Sequence, residues 1–473
     1  YIYITSTFNY IMQVYNNPLN SNDTICAVAT QPGGAIGIIR VSGNDAIRIV
    51  DSIFSRRILD APANSLHYGE ILNERQETID EVVVSIWRAP HSYTGENSVE
   101  ISCHGSAYIM EEVLHRLIEC NCRQAKPGEY TQRAYLNGKM DLSQTEAVAD
   151  LIASTNKASY KLALSQLKGH FSSELSVLRQ QLLKINSLLE LELDFSDHEE
   201  LEFADRTKLI TLAEEIDNKV VKLAHSFKVG QALKTGIPVA IIGKTNVGKS
   251  TLLNCLLHDN RAIVSDIHGT TRDIIEDTIA INGVDFHFID TAGIRKTTDQ
   301  VEQLGIERTY ATLKKAQIVL WVVDKLPTNG EEEEIFTQCI DKHLILVHNK
   351  VDNLTETIIK EKHWGDFYYC EIEISGKYNL GIDRLEKLIY KVADLPEISE
   401  NTTIVMNARH YDALTRAHIS LQRVKEALNM NLSGDLISED LKETISILAE
   451  ITGDQITSQE TLHNIFRHFC IGK

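Results

Sequence analysis

The 473-residue chain predicts a multidomain α/β and α protein: an N-terminal α+β domain, a helical bundle, and an α/β domain inserted into that bundle. Three observations carry this. Short β-rich runs broken by Gly, Pro and Asn turn signals fill residues 24–135. Leu, Ile and Ala recur at helical spacing over about 143–230, with few glycines and no proline, and again over 408–450. Between the helical blocks, residues 237–396 alternate apolar strands with helices, the mark of a parallel sheet. A chain of this length exceeds one ordinary core, so two to four domains are expected.

In the first block the spacing predicts strands at 36–41, 82–87 and 99–102 and a helix at 107–118. The second block predicts long amphipathic helices through 147–152, 162–167 and 178–193, which would pack as a bundle. Residues 408–450 set Leu414, Leu421, Val424, Leu428, Leu441, Ile445 and Leu448 on helical faces. The boundaries read from these patterns are 12–138, 139–234, 235–397 and 398–473, with the second and fourth pieces forming one helical domain. The run Glu331–Glu334 is read as a solvated face.

Composition narrows the class. A hydrophobic content of 43% with 24% charged residues suits a globular protein. Apolar runs such as 318–323 are about strand length, far from the roughly 18 residues of a membrane span, so no membrane attachment is expected. Residues 1–11 have neither a basic n-region nor a continuous apolar segment, and Met12 is the expected start of the structured protein. The eight cysteines are scattered and Cys120-x-Cys122 is too tight for zinc, so reduced thiols and a cytoplasmic location are expected. A net charge of −19 opposes a surface that coats nucleic acid, leaving room for a local or transient RNA contact.

The chemistry is concentrated in the third block. A strand at 238–242 runs into Gly243-Lys244-Thr245-Asn246-Val247-Gly248-Lys249-Ser250, followed by a helix at 251–257. This is G-x-x-x-x-G-K-[ST] between a strand and a helix, a phosphate loop. Its glycines let backbone N–H groups turn toward phosphates, and the helix adds its N-terminal dipole. Lys249 would reach the β- and γ-phosphates, Ser250 would ligate Mg²⁺, and Thr251 continues the contact. Asp290-Thr291-Ala292-Gly293 ends a strand at 286–289, where an Asp can hold magnesium through water and a glycine N–H can meet the γ-phosphate.

Asn349-Lys350-Val351-Asp352 follows a strand at 344–347. Asp352 can accept from N1–H and the exocyclic amine of guanine, a donor pair that adenine lacks. Ser375-Gly376 follows a strand at 371–374, where a backbone N–H could meet the guanine carbonyl. Four such motifs in order mark a Ras-like P-loop G domain that binds and hydrolyses GTP. Between the first and second lies the switch, Gly269-Thr270-Thr271-Arg272-Asp273, with Thr271 preferred to Thr270 for the magnesium shell, and Ser265, Asp266, Ile267 and His268 just before it are expected nucleotide contacts. Ile294 stands where Ras-like proteins carry a water-orienting glutamine. That role passes to another residue, and Asp299, Glu302 and Glu307 are the candidates.

The chain as a whole resembles the MnmE (TrmE) family of tRNA-modification GTPases from about Asp23 to Lys473. The resemblance rests on Asp23-Thr24-Ile25, Gly37-Ile38-Ile39-Arg40-Val41-Ser42-Gly43, Ser92-Tyr93-Thr94-Gly95-Glu96 and Pro127-Gly128-Glu129-Tyr130-Thr131. Val301-Glu302-x-x-Gly305-Ile306-Glu307-Arg308, Ile451-Thr452-Gly453 and the terminal Phe469-Cys470-Ile471-Gly472-Lys473 add to it. It implies a homodimer formed through a folate-binding N-terminal domain, and a 5-formyl- or 5,10-methylene-tetrahydrofolate there. It implies an FAD-dependent partner, MnmG, in a heterotetramer or larger, and transient contact with tRNA whose wobble uridine is modified at C5.

The resemblance also assigns roles. Asn246, Ser265, Ile267 and Thr270 would hold a potassium ion in place of an arginine finger. Glu302 would orient the attacking water through a bridging water, although sequence logic alone reads it as a solvated helix-start glutamate. Arg40, Glu100, Lys139 and Lys473 would bind folate, although Arg40 on one apolar strand and Glu100 on another also suit a structural ion pair. Cys470, beside His468, could attack uracil C6 but suits a packed thiol better, and Cys103-His104 suits the core better than a metal. Two departures from the family pattern stand out: Gly376-Lys377-Tyr378 replaces an alanine-containing guanine loop, and Pro32-Gly33-Gly34-Ala35 is a residue short. A second reading is a GTP-switched RNA-binding ribosome-assembly factor, although these append a basic module where this chain has an acid-rich helical flank. A membrane-linked GTP switch is a distant third.

Overall fold

The structure, a computed structural model, describes residues 23–194, 206–259, 277–289, 313–352, 359–364, 367–396, 399, 402–454, 462, 465–467, 469 and 472. The chain forms two compact units, Tyr1–Ala149 with Thr452–Lys473, and Asp150–Ile451.

The first unit is built on β1 (Ile25–Val28), β2 (Ile36–Ser42), α1 (Ala46–Ile53), β3 (Ser65–Leu72), β4 (Thr78–Trp87), β5 (Ser98–His104), α2 (Ala107–Glu119), β6 (Arg123–Gln124) and α3 (Glu129–Leu136). Its six strands order as β3-β4-β5-β2-β1-β6, antiparallel except for the β1–β6 pair. Along β4, Val82, Val84 and Ile86 alternate inward while Glu81 and Val83 face out, the period-2 pattern of a sheet with one buried face. Against that face α1 sets Ile47, Val50 and Ile53, three residues apart, and α2 sets Met110, Val113 and Leu117, three and four apart, each one helical stripe. Each such side chain contributes about 1.5–3 kcal/mol by leaving water. The returning C-terminal residues join this unit: Leu462, Phe466 and Phe469 cluster with Leu142, and the Tyr135 hydroxyl donates to the Gly453 carbonyl at 3.0 Å.

The second unit carries helices on both sides, in sequence, of a sheet. After α4 (Leu142–Ala153), which begins in the first unit, the chain continues through α5 (Lys157–Leu167), α6 (His170–Asp194) and α7 (Arg206–Thr235). The sheet region holds β7 (Ile237–Ile242), α8 (Lys249–Asp259), β8 (Asp277–Ile281), β9 (Val284–Ile289), β10 (Ile318–Val323), α9 (Asn329–Gln338), β11 (His343–His348), β12 (Ile359–Trp364), β13 (Phe367–Glu373) and α10 (Ile382–Val392). Two long helices, α11 (Ala408–Asn429) and α12 (Gly434–Thr452), follow.

The strands order as β12-β13-β11-β10-β7-β9-β8, with parallel pairing from β13 through β9 and antiparallel edges. Every residue of β10 is buried, as expected of a central parallel strand covered on both faces. One apolar cluster holds each face, and α5 adds Ala158, Leu162 and Ala163 to the first. The bundle has its own core: Leu178, Leu182, Ile185 and Leu189 of α6 meet Ile216 and Val220 of α7, Leu421 and Val424 of α11, and Leu441 and Leu448 of α12. One charge is buried in it. Asp217 accepts from His418 Nδ1 at 2.5 Å, Gln422 Nε2 at 2.7 Å and Lys425 Nζ at 2.9 Å, three residues on one stripe of α11.

Candidate functional site

The phosphate loop leaves the carboxyl end of β7, in the middle of the sheet, where ligands of open α/β folds bind. Its first residue, Gly243, has φ +143, and a Cβ there would stand 2.2 Å from the Val322 carbonyl oxygen of β10. Only glycine lets the chain turn out at that point. Asn246 (φ 62) and Gly248 (φ 98) continue the left-handed turns, so the loop doubles back before α8 begins at Lys249. Lys249 Nζ donates to the Gly243 and Lys244 carbonyls, both at 2.6 Å, and burial pushes its pKa down. An ammonium held over a loop of turned-in backbone at a helix N-terminus suits a polyphosphate.

The base-reading segments converge on the same loop. Asn349 is buried at 5% exposure. Its Nδ2 donates to the Val247 carbonyl at 2.8 Å, and its Oδ1 accepts from the Gly376 N–H at 3.0 Å. Ser375 Oγ donates to Asp352 Oδ1 at 2.8 Å and so orients that carboxylate. Ser375 and Leu380 exchange backbone hydrogen bonds of 3.0 Å, closing the loop between them. Lys350, at φ 68, pairs with Asp324 Oδ2 at 2.9 Å.

The structure thus brings together Asn246, Val247, Gly248, Lys249, Ser250 and Thr251 with Asn349, Lys350, Asp352 and Ser375. Ser265, Asp266, Ile267, His268, Gly269, Thr270, Thr271, Asp290, Thr291, Ala292, Gly293 and Glu302 lie outside the described residues, as do Asp299, Glu307, Cys470 and Lys473.

Three contributors escaped the sequence reading. Asp324 caps the end of β10 and holds Lys350, a pairing for which the sequence carries no signal. Glu331 forms an ion pair with Lys244 of the phosphate loop, so one member of the acidic run does more than face solvent. It also closes a capping box with Thr328, and T-x-x-E was the signal that could have singled it out. The Cys255 thiol of α8 donates to the Gly376 carbonyl at 3.1 Å.

The first unit holds a separate cavity of about 160 Å³ lined by Arg40, Trp87, Tyr93, Thr94, Ser98 and Glu100. Arg40 and Glu100 are register partners on β2 and β5 and pair at 2.8 Å, so the ion-pair reading of these two residues describes the structure. Both remain about a quarter exposed, facing the cavity. The Arg40 guanidinium stands 5.7 Å from the ring centres of both Tyr93 and Tyr130, and its Nη1 donates to the Gly472 carbonyl at 3.2 Å. Lys139 donates to the Pro90 carbonyl at 3.0 Å, on the loop that brings Tyr93 and Thr94 to the cavity.

That loop is anchored from behind by Glu96, which accepts from Ser42 Oγ at 2.8 Å and from Arg133 Nη1 at 3.1 Å. Arg133 is nearly buried and also grips Asp23 and Glu129. A carboxylate, a guanidinium and flat aromatic walls suit a heteroaromatic ligand whose edge offers paired N–H donors. Cys103 is buried, with burial pushing its thiol up to about 11, and His104 Nδ1 pairs with Asp80 at 2.8 Å. Among the described residues no cluster of three His, Cys, Asp or Glu side chains could hold a metal, and no helix is long and apolar enough to cross a membrane.

Two family models match the chain: "GTP-binding protein TrmE N-terminus" over residues 24–139 and "MnmE helical domain" over 142–470. Curated relatives match over nearly their full length. The tRNA modification GTPase MnmE of Bacteroides fragilis is 53% identical over 467 residues, 96% of this chain and 100% of that protein. The protein of the same name from Parabacteroides distasonis is 54% identical over 461 residues, 95% of this chain and 100% of that one. That of Porphyromonas gingivalis is 48% identical, covering 96% and 98%. The motifs of both units and the match over 96% of the chain lead to one assignment: the chain belongs to the MnmE (TrmE) family of tRNA modification GTPases.

Proposed function

We propose that this protein is a potassium-stimulated GTPase that works with an FAD-dependent MnmG-like partner to modify C5 of the wobble uridine of certain tRNAs. The observation that carries the reading is the bridge made by Asn349 between the phosphate loop and the guanine loop. It sets Lys249 and the α8 N-terminus for a triphosphate, and Asp352 for a guanine edge, in one hydrogen-bonded unit. Asp352 reads N1–H and the 2-amino group, and a backbone N–H near Ser375 reads the 6-oxo group. Ser250 and Thr271 would hold Mg²⁺, which supplies charge neutralisation at the β- and γ-phosphates when bound. Asn246, with Ser265, Ile267 and Thr270, would supply oxygen ligands for K⁺, which adds positive charge beside the transferring phosphoryl group. Glu302 orients the attacking water.

In the other unit, Arg40, Glu100, Lys139 and Lys473 would hold the folate. Glu100 would accept from N–H donors of the ligand and Arg40 would donate to it, beside the Tyr93 and Trp87 rings of the cavity wall. Bound 5-formyl- or 5,10-methylene-tetrahydrofolate supplies the one-carbon unit. The protein is read as a cytoplasmic homodimer with an N-terminal α+β dimerisation and folate-binding domain over 12–138, a TrmE-type G domain over 235–397, and a helical domain from the two flanking pieces.

The test is GTP turnover in potassium against sodium at equal ionic strength, with Glu302→Ala beside the wild type. Strong stimulation by potassium, lost in Glu302→Ala while GDP affinity stays unchanged, is the expected result. Equal rates in the two salts would remove the cation from the mechanism, and unchanged turnover in the variant would remove Glu302.

A further inference from the structure

We propose that Cys255 is a positioning residue for guanine recognition, holding the Gly376 carbonyl while Asn349 holds the Gly376 N–H. The proposal rests on the guanine-nucleotide reading above and adds to it a residue that none of the four nucleotide motifs contains.

On that reading, a backbone N–H next to Gly376 would meet the base carbonyl. The Gly376 N–H is held by Asn349 Oδ1 at 3.0 Å and its carbonyl receives the Cys255 thiol at 3.1 Å. Cys255 lies on α8, six residues after Lys249, so the element that begins at the phosphate site also fixes the base site. The residue held is a glycine with space around it. A Cβ at Gly376 would meet Thr251 Cγ2 at 3.4 Å and Asn349 Oδ1 at 3.5 Å, ordinary contact distances. Sterics therefore do not force glycine here, and its backbone freedom must be restrained by something else. Beside Asn349 and the Ser375–Leu380 backbone pair, the half-buried thiol is the restraint on its carbonyl. An S–H donor is weak, so the effect is modest and falls on binding rather than chemistry.

The test measures GDP, inosine diphosphate and ADP affinities by displacement of a fluorescent GDP, with steady-state GTP turnover, for wild type, Cys255→Ala, Cys255→Ser and Gly376→Ala/Cys255→Ala. Cys255→Ala is expected to weaken GDP and inosine diphosphate alike by about two- to fivefold, since both carry the 6-oxo group. KM for GTP should rise by a similar factor with kcat unchanged. Cys255→Ser, which keeps a donor, should recover most of the loss, and so should alanine at 376, which stiffens the same peptide. A merely structural thiol would lower the melting temperature and active fraction without these rescues. Wild-type affinities for GDP in both Cys255 variants overturn this proposal alone. A wild type that does not prefer GDP to ADP overturns the guanine reading and the proposal with it.

Discussion

Replacing Asn349 by alanine tests whether the phosphate loop and the base-reading loop act as one unit. The side chain is 5% exposed and makes two hydrogen bonds, to the Val247 carbonyl at 2.8 Å and from the Gly376 N–H at 3.0 Å. Alanine leaves both backbone groups without that partner, and an unsatisfied buried group costs about 1–3 kcal/mol. Water at the rim of an open site recovers part of this, so a net loss of about 2–4 kcal/mol is expected, roughly 30- to 1,000-fold in GDP affinity. Asn349→Asp separates the two bonds. It keeps the acceptor for Gly376 but replaces the donor with a carboxylate oxygen facing the Val247 carbonyl, so it should bind no better than the alanine variant. The assay is displacement of a fluorescent GDP, with thermal melting of the ligand-free protein to show that the variants fold. Alanine at 349 binding GDP within about threefold of wild type would refute the idea that this bridge organises the site.

Three further outcomes follow from other parts of the molecule. In the N-terminal unit, Glu100→Gln and Arg40→Met should each weaken 5-formyl-tetrahydrofolate binding by at least about tenfold, the loss typical of a charged hydrogen bond, read as reduced quenching of Trp87 fluorescence in the cavity wall. In the bundle, Asp217→Ala strands Lys425 and removes the α7 acceptor of three α11 donors. With Lys425 only 22% exposed, a loss of about 2–4 kcal/mol in urea unfolding of the domain is expected. The third outcome concerns pH. Burial pushes the Glu129 carboxyl up, but Arg123, the Lys126 N–H and Arg133 outweigh it and hold the pKa below 4.5. A carboxyl lowered in the folded state stabilises at neutral pH, and that contribution is lost as pH falls from about 4.5 through the lowered value. Glu129→Gln should therefore be less stable at pH 7 and show a flatter acid limb in melting temperature against pH over that range.

Much of this molecule is legible along the chain. Strands β2, β4, β5, β7 and β10 and helix α2 sit within a few residues of where apolar periodicity puts them, because each buries one regular face or two. The edge strands are harder to read. β3 breaks its alternation with His67 and Gly69, and β12 reads Ile-Lys-Glu-Lys-His-Trp, a polar segment whose pairing with β13 no apolar periodicity announces. The motifs of the nucleotide site were visible because a phosphate loop needs glycines and a lysine at fixed offsets, whatever surrounds it.

The sequence by itself determined the order of elements, the class of each domain and the ligand class of the phosphate loop, since these follow from local periodicity and from turns that only certain residues can make. Tertiary structure alone decided which distant groups meet. Asn349 spans to Val247 and Gly376, Cys255 reaches the Gly376 carbonyl, Lys244 finds Glu331, and Arg40 reaches the Gly472 carbonyl. Arg40 and Gly472 are 432 residues apart. No local pattern encodes such a meeting, because it is set by how the sheet register and helix packing fold the chain back on itself. Side-chain hydrogen bonds there are chosen by position in space rather than by neighbours in sequence.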